Sequence, residues 1–208
     1  MSRIWMVGLV LFHGSSALAT SMVFDDRPQF EQFVPDAARQ GFEQEFDTAG
    51  SISFPGFSIT EDSAFAVIKS RTDYVSAGSR SLGFTWNGNR SLTFAFDPPI
   101  DAFAADILDF GTCCGATKLW VTSETGEVDE VAATGVDRVR GNLQFFGVVT
   151  DQPFTTLTMT SDQNSTNDLV VFDELLFRPV PEPRGSGMLV LGCLAWAMAW
   201  ARRGALPR

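Results

Sequence analysis

Two short stretches put carboxylates where chemistry could use them. ADILDF, residues 105–110, sets Asp106 and Asp109 in apolar surroundings, and GFEQEF, residues 41–46, places Glu43 and Glu45 two apart on one strand face. Two facing carboxylates at the right separation can run general acid–base chemistry, as in glycoside hydrolysis. The chain holds twenty-five Asp and Glu, however, so many pairs arise by composition alone. Turn caps and solvent-facing positions are the simpler assignment, and no enzyme is expected.

The rest of the chemical inventory is thin. His13 is the only histidine, and it falls in a leader expected to be removed. Without it there is no Ser-His-Asp or Cys-His nucleophile, no histidine metal site and no imidazole base. Lys69 and Lys118 are the only lysines. Cys193 lies in an apolar tail, leaving Cys113-Cys114 in FGTCCGAT. Neighbouring cysteines can close a vicinal disulfide, join two chains or stay reduced, and a redox catalyst would more usually show C-x-x-C. A loop-stiffening or incidental role is expected for this pair. Trp86, Trp120 and Tyr74 are the only body aromatics with a polar handle, a meagre stacking surface. Trp86 is the candidate ligand contact.

These residues must be positioned by strands. FDDRPQFEQF reads as one short helix: Asp25 or Asp26 caps it, Pro28 fits its first turn, Phe30 and Phe33 share a face, and Pro35 ends it. From there to residue 178 the pattern has period two, broken by Gly, Asn, Asp and Pro. The expected strands are GFEQEF, FPGFSIT, AFAVIKS, SLGFTW, RSLTFAF, DAFAADIL, TKLWVTS, EVDEVAA, NLQFFGVV, FTTLTMT and DLVVFDELLF. Asn87-Gly88 predicts a tight hairpin between SLGFTW and NRSLTF. About ten short strands without a long amphipathic helix predict an all-β fold, an antiparallel β-sandwich of jelly-roll type. A closed barrel is the alternative. The phenylalanines then fill the space between two sheets.

Both ends differ from this body. Met1-Ser2-Arg3, the apolar stretch Ile4 to Phe12 and Ala17-Leu18-Ala19 read as a secretory signal, residues 1–19, cut by signal peptidase after Ala19. Residues 20–179 form the β-sandwich body, and 180–208 form a tail. Between Thr20 and Val180 there are ten Lys or Arg against twenty-four Asp or Glu, a net charge of about −14 that excludes nucleic acid and anionic lipid as partners. In the tail, Met188 to Ala201 carries no charge. Extended back to Gly185 it reaches about seventeen residues, the lower limit for a transmembrane helix. Arg202-Arg203 then hold the C-terminus in the cytoplasm and leave the body outside.

Pro181-Glu182-Pro183, the apolar run and Arg202-Arg203 together resemble the PEP-CTERM sorting signal of Gram-negative bacteria that make exopolysaccharide or biofilm. The resemblance implies recognition of Pro181, Glu182 and Pro183 by exosortase, a membrane enzyme that cleaves near the motif. It implies transient inner-membrane anchoring, then passage to the cell surface or extracellular matrix. Prolines on both sides of Glu182 also keep the backbone extended, a form a membrane protease can grip.

The body also resembles, less specifically, the domains found ahead of such tails, and through them jelly-roll carbohydrate-binding modules. The likeness lies in the short helix, Phe42-Glu43, SAGSRSLGF, SLTFAFDPPIDAFAADI and Val171-Phe172-Asp173-Glu174-Leu175. In such modules first-strand and last-strand acids often hold a structural calcium, which makes Glu43 and Asp173 the candidates here. Calcium takes six to eight oxygens, so carbonyls and water would complete the shell. The alternative is a pair of strand-end acids bonded to backbone. The expectation is therefore a structural surface or matrix protein associated with exopolysaccharide. A carbohydrate-binding module with structural calcium is the alternative, and a carboxylate glycoside hydrolase a second one.

Overall fold

The computed structural model describes residues 20–62, 67–87, 90–111, 118–132, 142–161 and 166–181. Ala17, Ala19, Cys113, Cys114, Glu182, Pro183, Arg202 and Arg203 lie outside them, as do the predicted signal and transmembrane helix. Pro181 lies within them, exposed and in no strand. Among the described residues no helix is long and apolar enough to cross a membrane.

The chain begins with β1 (Ser21–Phe24) and α1 (Arg27–Phe33). Short strands β2 (Ala38–Gln40), β3 (Asp47–Ala49), β4 (Ser51–Phe54), β5 (Phe57–Glu61) and β6 (Val67–Arg71) follow, then β7 (Ser81–Asn87). The long β8 (Ser91–Leu108), β9 (Lys118–Ser123), β10 (Gly126–Ala132), the long β11 (Leu143–Ser161) and β12 (Thr166–Pro179) complete it. Every pairing among them is antiparallel.

Two strands make the sandwich. β8 pairs through Leu92–Phe96 with β5, and through Ile100–Leu108 with β12. β11 accompanies it over both halves, with register shifts between Val149 and Thr156. The two strands thus pass together from one layer to the other. Pro98-Pro99 and Pro153 sit at this corner, where missing N–H donors cost least. The sequence pattern breaks each strand in two at those prolines. In the fold each bends and continues. One layer runs β4-β5-β8-β11-β9-β10, and the other β3-β6-β7-β12-β8-β11-β1.

Between the layers lies a phenylalanine-rich core. Phe94 meets Phe103 at 5.3 Å and Phe172 at 5.9 Å, joining the two layers through tilted and edge-on rings. β8 turns from alternating burial to continuous burial after Asp101 because both of its faces are then covered. The outer cover is α1. Asp26 caps it by accepting from the Gln29 N–H at 2.9 Å, as the sequence predicts. Phe30 buries completely against Val34, Ala102, Ala104 and Leu176, whereas Phe33 stays half exposed beside Phe24. Gly147 makes room, since a Cβ there would stand 2.7 Å from the Phe30 ring.

Three local expectations are corrected. SLGFTW and NRSLTF form no hairpin. β7 has β6 and β12 as its neighbours, and the start of β8 has β5 and β11, so the two strands lie in different layers. The tight hairpin lies in FPGFSIT, expected as one strand. Phe54-Pro55-Gly56-Phe57 turns there, with Gly56 at φ 84° taking the left-handed position that proline at the preceding site sets up. GFEQEF is not a strand either, because its glutamates reach sideways to the 76–80 loop instead of facing a ladder partner.

Candidate functional site

Glu43 and Asp173 come together on one loop, Ser76-Ala77-Gly78-Ser79. Asp173, fully buried, accepts from the Ser76 N–H at 2.8 Å, the Ala77 N–H at 3.1 Å and the Ser76 hydroxyl at 3.1 Å with one oxygen. Its other oxygen accepts from the Glu174 N–H at 2.9 Å. Glu43 accepts from the Ser79 N–H at 3.0 Å and the Ser79 hydroxyl at 2.6 Å. The Ser79 hydroxyl and then its N–H hold the Glu43 carboxyl below the usual carboxylate range. Gly78, at φ 70°, is needed there: an added Cβ would fall 1.8 Å from the Glu43 oxygen.

Both carboxylates are engaged by N–H and O–H groups of this loop, so a calcium ion here would also draw on carbonyl and water oxygens. Among the described residues no three His, Cys, Asp or Glu gather where they could hold a metal ion. The two acids clamp this loop through those bonds.

Register adds a neighbour that the sequence does not announce. Asp106 on β8 stands directly opposite Asp173 on β12. Arg27, at the start of α1, lies 2.8 Å from Asp106 and donates to the Glu174 carbonyl at 3.1 Å. Its guanidinium also sits 5.1 Å from the Phe145 ring centre. Arg39 bridges Glu174 at 2.7 Å and Glu31 at 2.8 Å. A pocket of about 470 Å³ opens beside them, lined by Asp25, Asp26, Arg27, Asp106, Ser76 and Leu143 among others. Glu174 at φ 46° marks the bulge where β12 resumes its pairing with β8. Asp106 thus neutralises Arg27, while Asp173 holds backbone. Asp109, also buried, takes the left-handed conformation at φ 61° as β8 ends, and its N–H reaches the Asn142 carbonyl at 3.1 Å. The two glutamates expected to share a strand face part company, since Glu45 pairs with Arg80 at 3.2 Å.

Among the described residues no helix packs on the outer face of the β5–β8–β11–β9 layer, and its chemistry is different. Across the strands Ser51, Thr60, Thr93, Thr158 and Thr122 stand in one register row. Thr93 and Thr158 share a hydrogen bond at 3.0 Å, and the Thr60 hydroxyl donates to Ser51 at 3.4 Å. A second row runs Ser53, Ser58, Ala95 and Thr156, and a third Ser91, Thr160 and Trp120. Trp120 is 37% exposed, with the Lys118 ammonium 5.4 Å from its ring centre. Trp86, the predicted ligand contact, lies on β7 in the other layer, opposite Asp168 of β12. Its side chain lies outside the described set.

One acid steadies this face. Glu124, in the β9–β10 turn, accepts from the Thr156 N–H at 2.6 Å and its hydroxyl at 2.7 Å, and from the Thr155 N–H and hydroxyl. Desolvation raises the Glu124 carboxyl, but these bonds together outweigh it and take it down to about 2. A depressed carboxylate contributes stability above its unfolded value near 4.5 and loses it as pH falls through about 2. We expect acid unfolding between those values to become shallower in Glu124→Gln. Thermal melts of both proteins against pH check this, and parallel curves would contradict it. Glu43 and Asp73, lowered for similar reasons, keep part of the slope in the variant.

No protein-family model matches the chain, and no curated protein does. Similar solved structures include a carbohydrate-binding module of the β-sandwich superfamily, at 12% identity and TM-score 0.42, covering 62% of this chain and 58% of that one. The CBM22-1 xylan-binding domain from Paenibacillus barcinonensis Xyn10C aligns at 12% identity and TM-score 0.42, over 71% of this chain and 97% of that domain. The catalytic domain of a GH87 α-1,3-glucanase in complex with tetrasaccharides aligns at 13% identity and TM-score 0.36, over 65% of this chain and 30% of that one. At these scores the likeness carries no argument about ligand or activity. The fold, an antiparallel β-sandwich with one short helix, stands on its own pairings.

Proposed function

We propose that this protein is a non-catalytic surface or matrix protein, exported by its leader and delivered by the tail of residues 180–208. The observation that supports the body's part in this is the use made of its acids. Asp173 and Glu43 hold a loop, Asp106 holds Arg27, and Glu124 holds β11. Asp101 grips Arg178 through two bonds, at 2.7 and 3.0 Å. A general acid or base needs a carboxyl that can give and take a proton beside a substrate. These carboxylates instead serve as fixed acceptors, which suits a durable scaffold in an extracellular matrix. Exopolysaccharide is the partner that such a location supplies.

Delivery is tested by replacing Pro181, Glu182 and Pro183 with alanine in the native host. The unaltered protein is expected in the surface or matrix fraction without its tail, and the variant in the inner membrane with the tail attached. Unchanged processing of the variant would defeat the sorting assignment.

A further inference from the structure

The outer face of the β4–β5–β8–β11–β9 layer is an anomaly of charge. The exported body carries about −14, yet the three register rows across β4, β5, β8, β11 and β9 contain Ser, Thr, Ala and Trp only. Charge appears at the margin: Glu127 and Glu130 of β10 stand opposite Thr122 and Trp120 in register, Asp62 accepts from the Ser91 hydroxyl, and Glu124 holds Thr155 and Thr156. Lys118 lies beside Trp120. Burial alternates along these strands, so the rows face outward while Phe94, Leu157 and Val121 face the core. The opposite layer shows what a sealed face looks like here: small residues, Ala102 and Ala104, under a docked helix. Hydroxyls are not what seals a face.

We infer that this hydroxyl face, with Trp120 at its edge, is a binding surface for a neutral polysaccharide. The inference rests on the matrix role proposed above and names the partner's chemistry. A sugar presents alternating hydroxyl and C–H patches, and the face presents matching features. Ser and Thr hydroxyls act as both donor and acceptor, so a row can bond a chain of sugar hydroxyls in either sense. The exposed indole offers a rigid apolar plate with little entropy to lose. The anionic margin and the net charge of the body repel uronate, sulfate or phosphate groups, which selects neutral chains over acidic ones. β-Strand pairing fixes the backbone spacing of these rows before the ligand arrives, which limits the cost of ordering the site.

The full-length protein, purified in mild detergent, can be run in gels containing xylan, dextran or soluble β-glucan, with alginate and polygalacturonate as acidic controls. At least one neutral polymer is expected to retard the protein and neither acidic polymer to do so. Trp120→Ala should weaken retardation about tenfold, the scale of losing one stacking contact. Thr93→Val with Thr158→Val should weaken it while keeping β-branched shape, so thermal melting can confirm that each variant is folded. Retardation only by acidic polymers overturns the inference, as does retardation by none. Retardation of folded variants equal to the unaltered protein also overturns it, and so does a Trp120-dependent dimer in sedimentation, which would assign the face to a second copy. Sorting fails or succeeds in a different assay, so a negative gel with normal tail processing rejects the face and leaves the delivery assignment standing.

Discussion

Replacing Asp173 by alanine is expected to cost about 3–5 kcal/mol, the scale of removing one partner from a buried charged network. The carboxylate is fully buried and accepts four hydrogen bonds, three of them from backbone N–H groups. Alanine would leave those N–H groups buried or force the 76–79 loop to open. For a domain of this size each kcal/mol moves the melting midpoint by roughly 2–4 °C, so a fall of roughly 6–20 °C is expected. The amide variant Asp173→Asn keeps an acceptor for the loop but loses the charge, so its midpoint should lie between those of the alanine variant and the unaltered protein. Calorimetry on the three proteins decides the matter. A midpoint in Asp173→Ala equal to that of the unaltered protein would show that the clamp holds nothing.

The second large effect is expected at Phe30. Truncation to alanine in a buried aromatic site costs about 3–5 kcal/mol, from lost transfer energy and the cavity left behind. Phe30 is fully buried and is the one residue of α1 that is, with Phe24 at 5.5 Å and Phe145 at 5.8 Å. Its loss should also unseat Arg27, whose bond to Asp106 depends on where α1 sits. Hydrogen exchange would then rise first along α1 and β1, before the inter-sheet core around Phe94 and Phe172. Uniform loss of protection, or none, would contradict a helix that acts as a separate outer cover.

Much of this architecture is legible in the residues themselves. Period-two runs locate the strands, and Asp26 with Pro28 marks the helix start because capping is a local interaction. The errors share one physical cause. Asn87-Gly88 has the composition of a hairpin, yet its flanking strands find better partners in β12 and β5, far away in sequence. Prolines at the corner of β8 and β11 look like strand ends, because a sequence does not show that another layer waits beyond the bend. GFEQEF has strand spacing, but Ser79 and Arg80 draw its glutamates aside.

The site was legible in fragments. Glu43 and Asp173 stand out only through resemblance to jelly-roll modules, and their shared loop is a tertiary fact. Asp106 meets Asp173 across 67 positions of sequence through register alone. The alternation of threonine in FTTLTMTS predicts one polar strand face. Its continuation through Thr93, Thr60 and Thr122 into a wide uncharged surface depends on pairings among four strands.

The most direct measurement of the central claim is the intact mass of the unaltered protein recovered from the host's surface and matrix fraction. The account predicts a chain that starts at Thr20 and ends near Pro183, without the apolar run and Arg202-Arg203. The alanine variant of Pro181, Glu182 and Pro183 should keep that tail in the membrane fraction. Recovery of the uncut 208-residue chain from the cytoplasm would contradict the account.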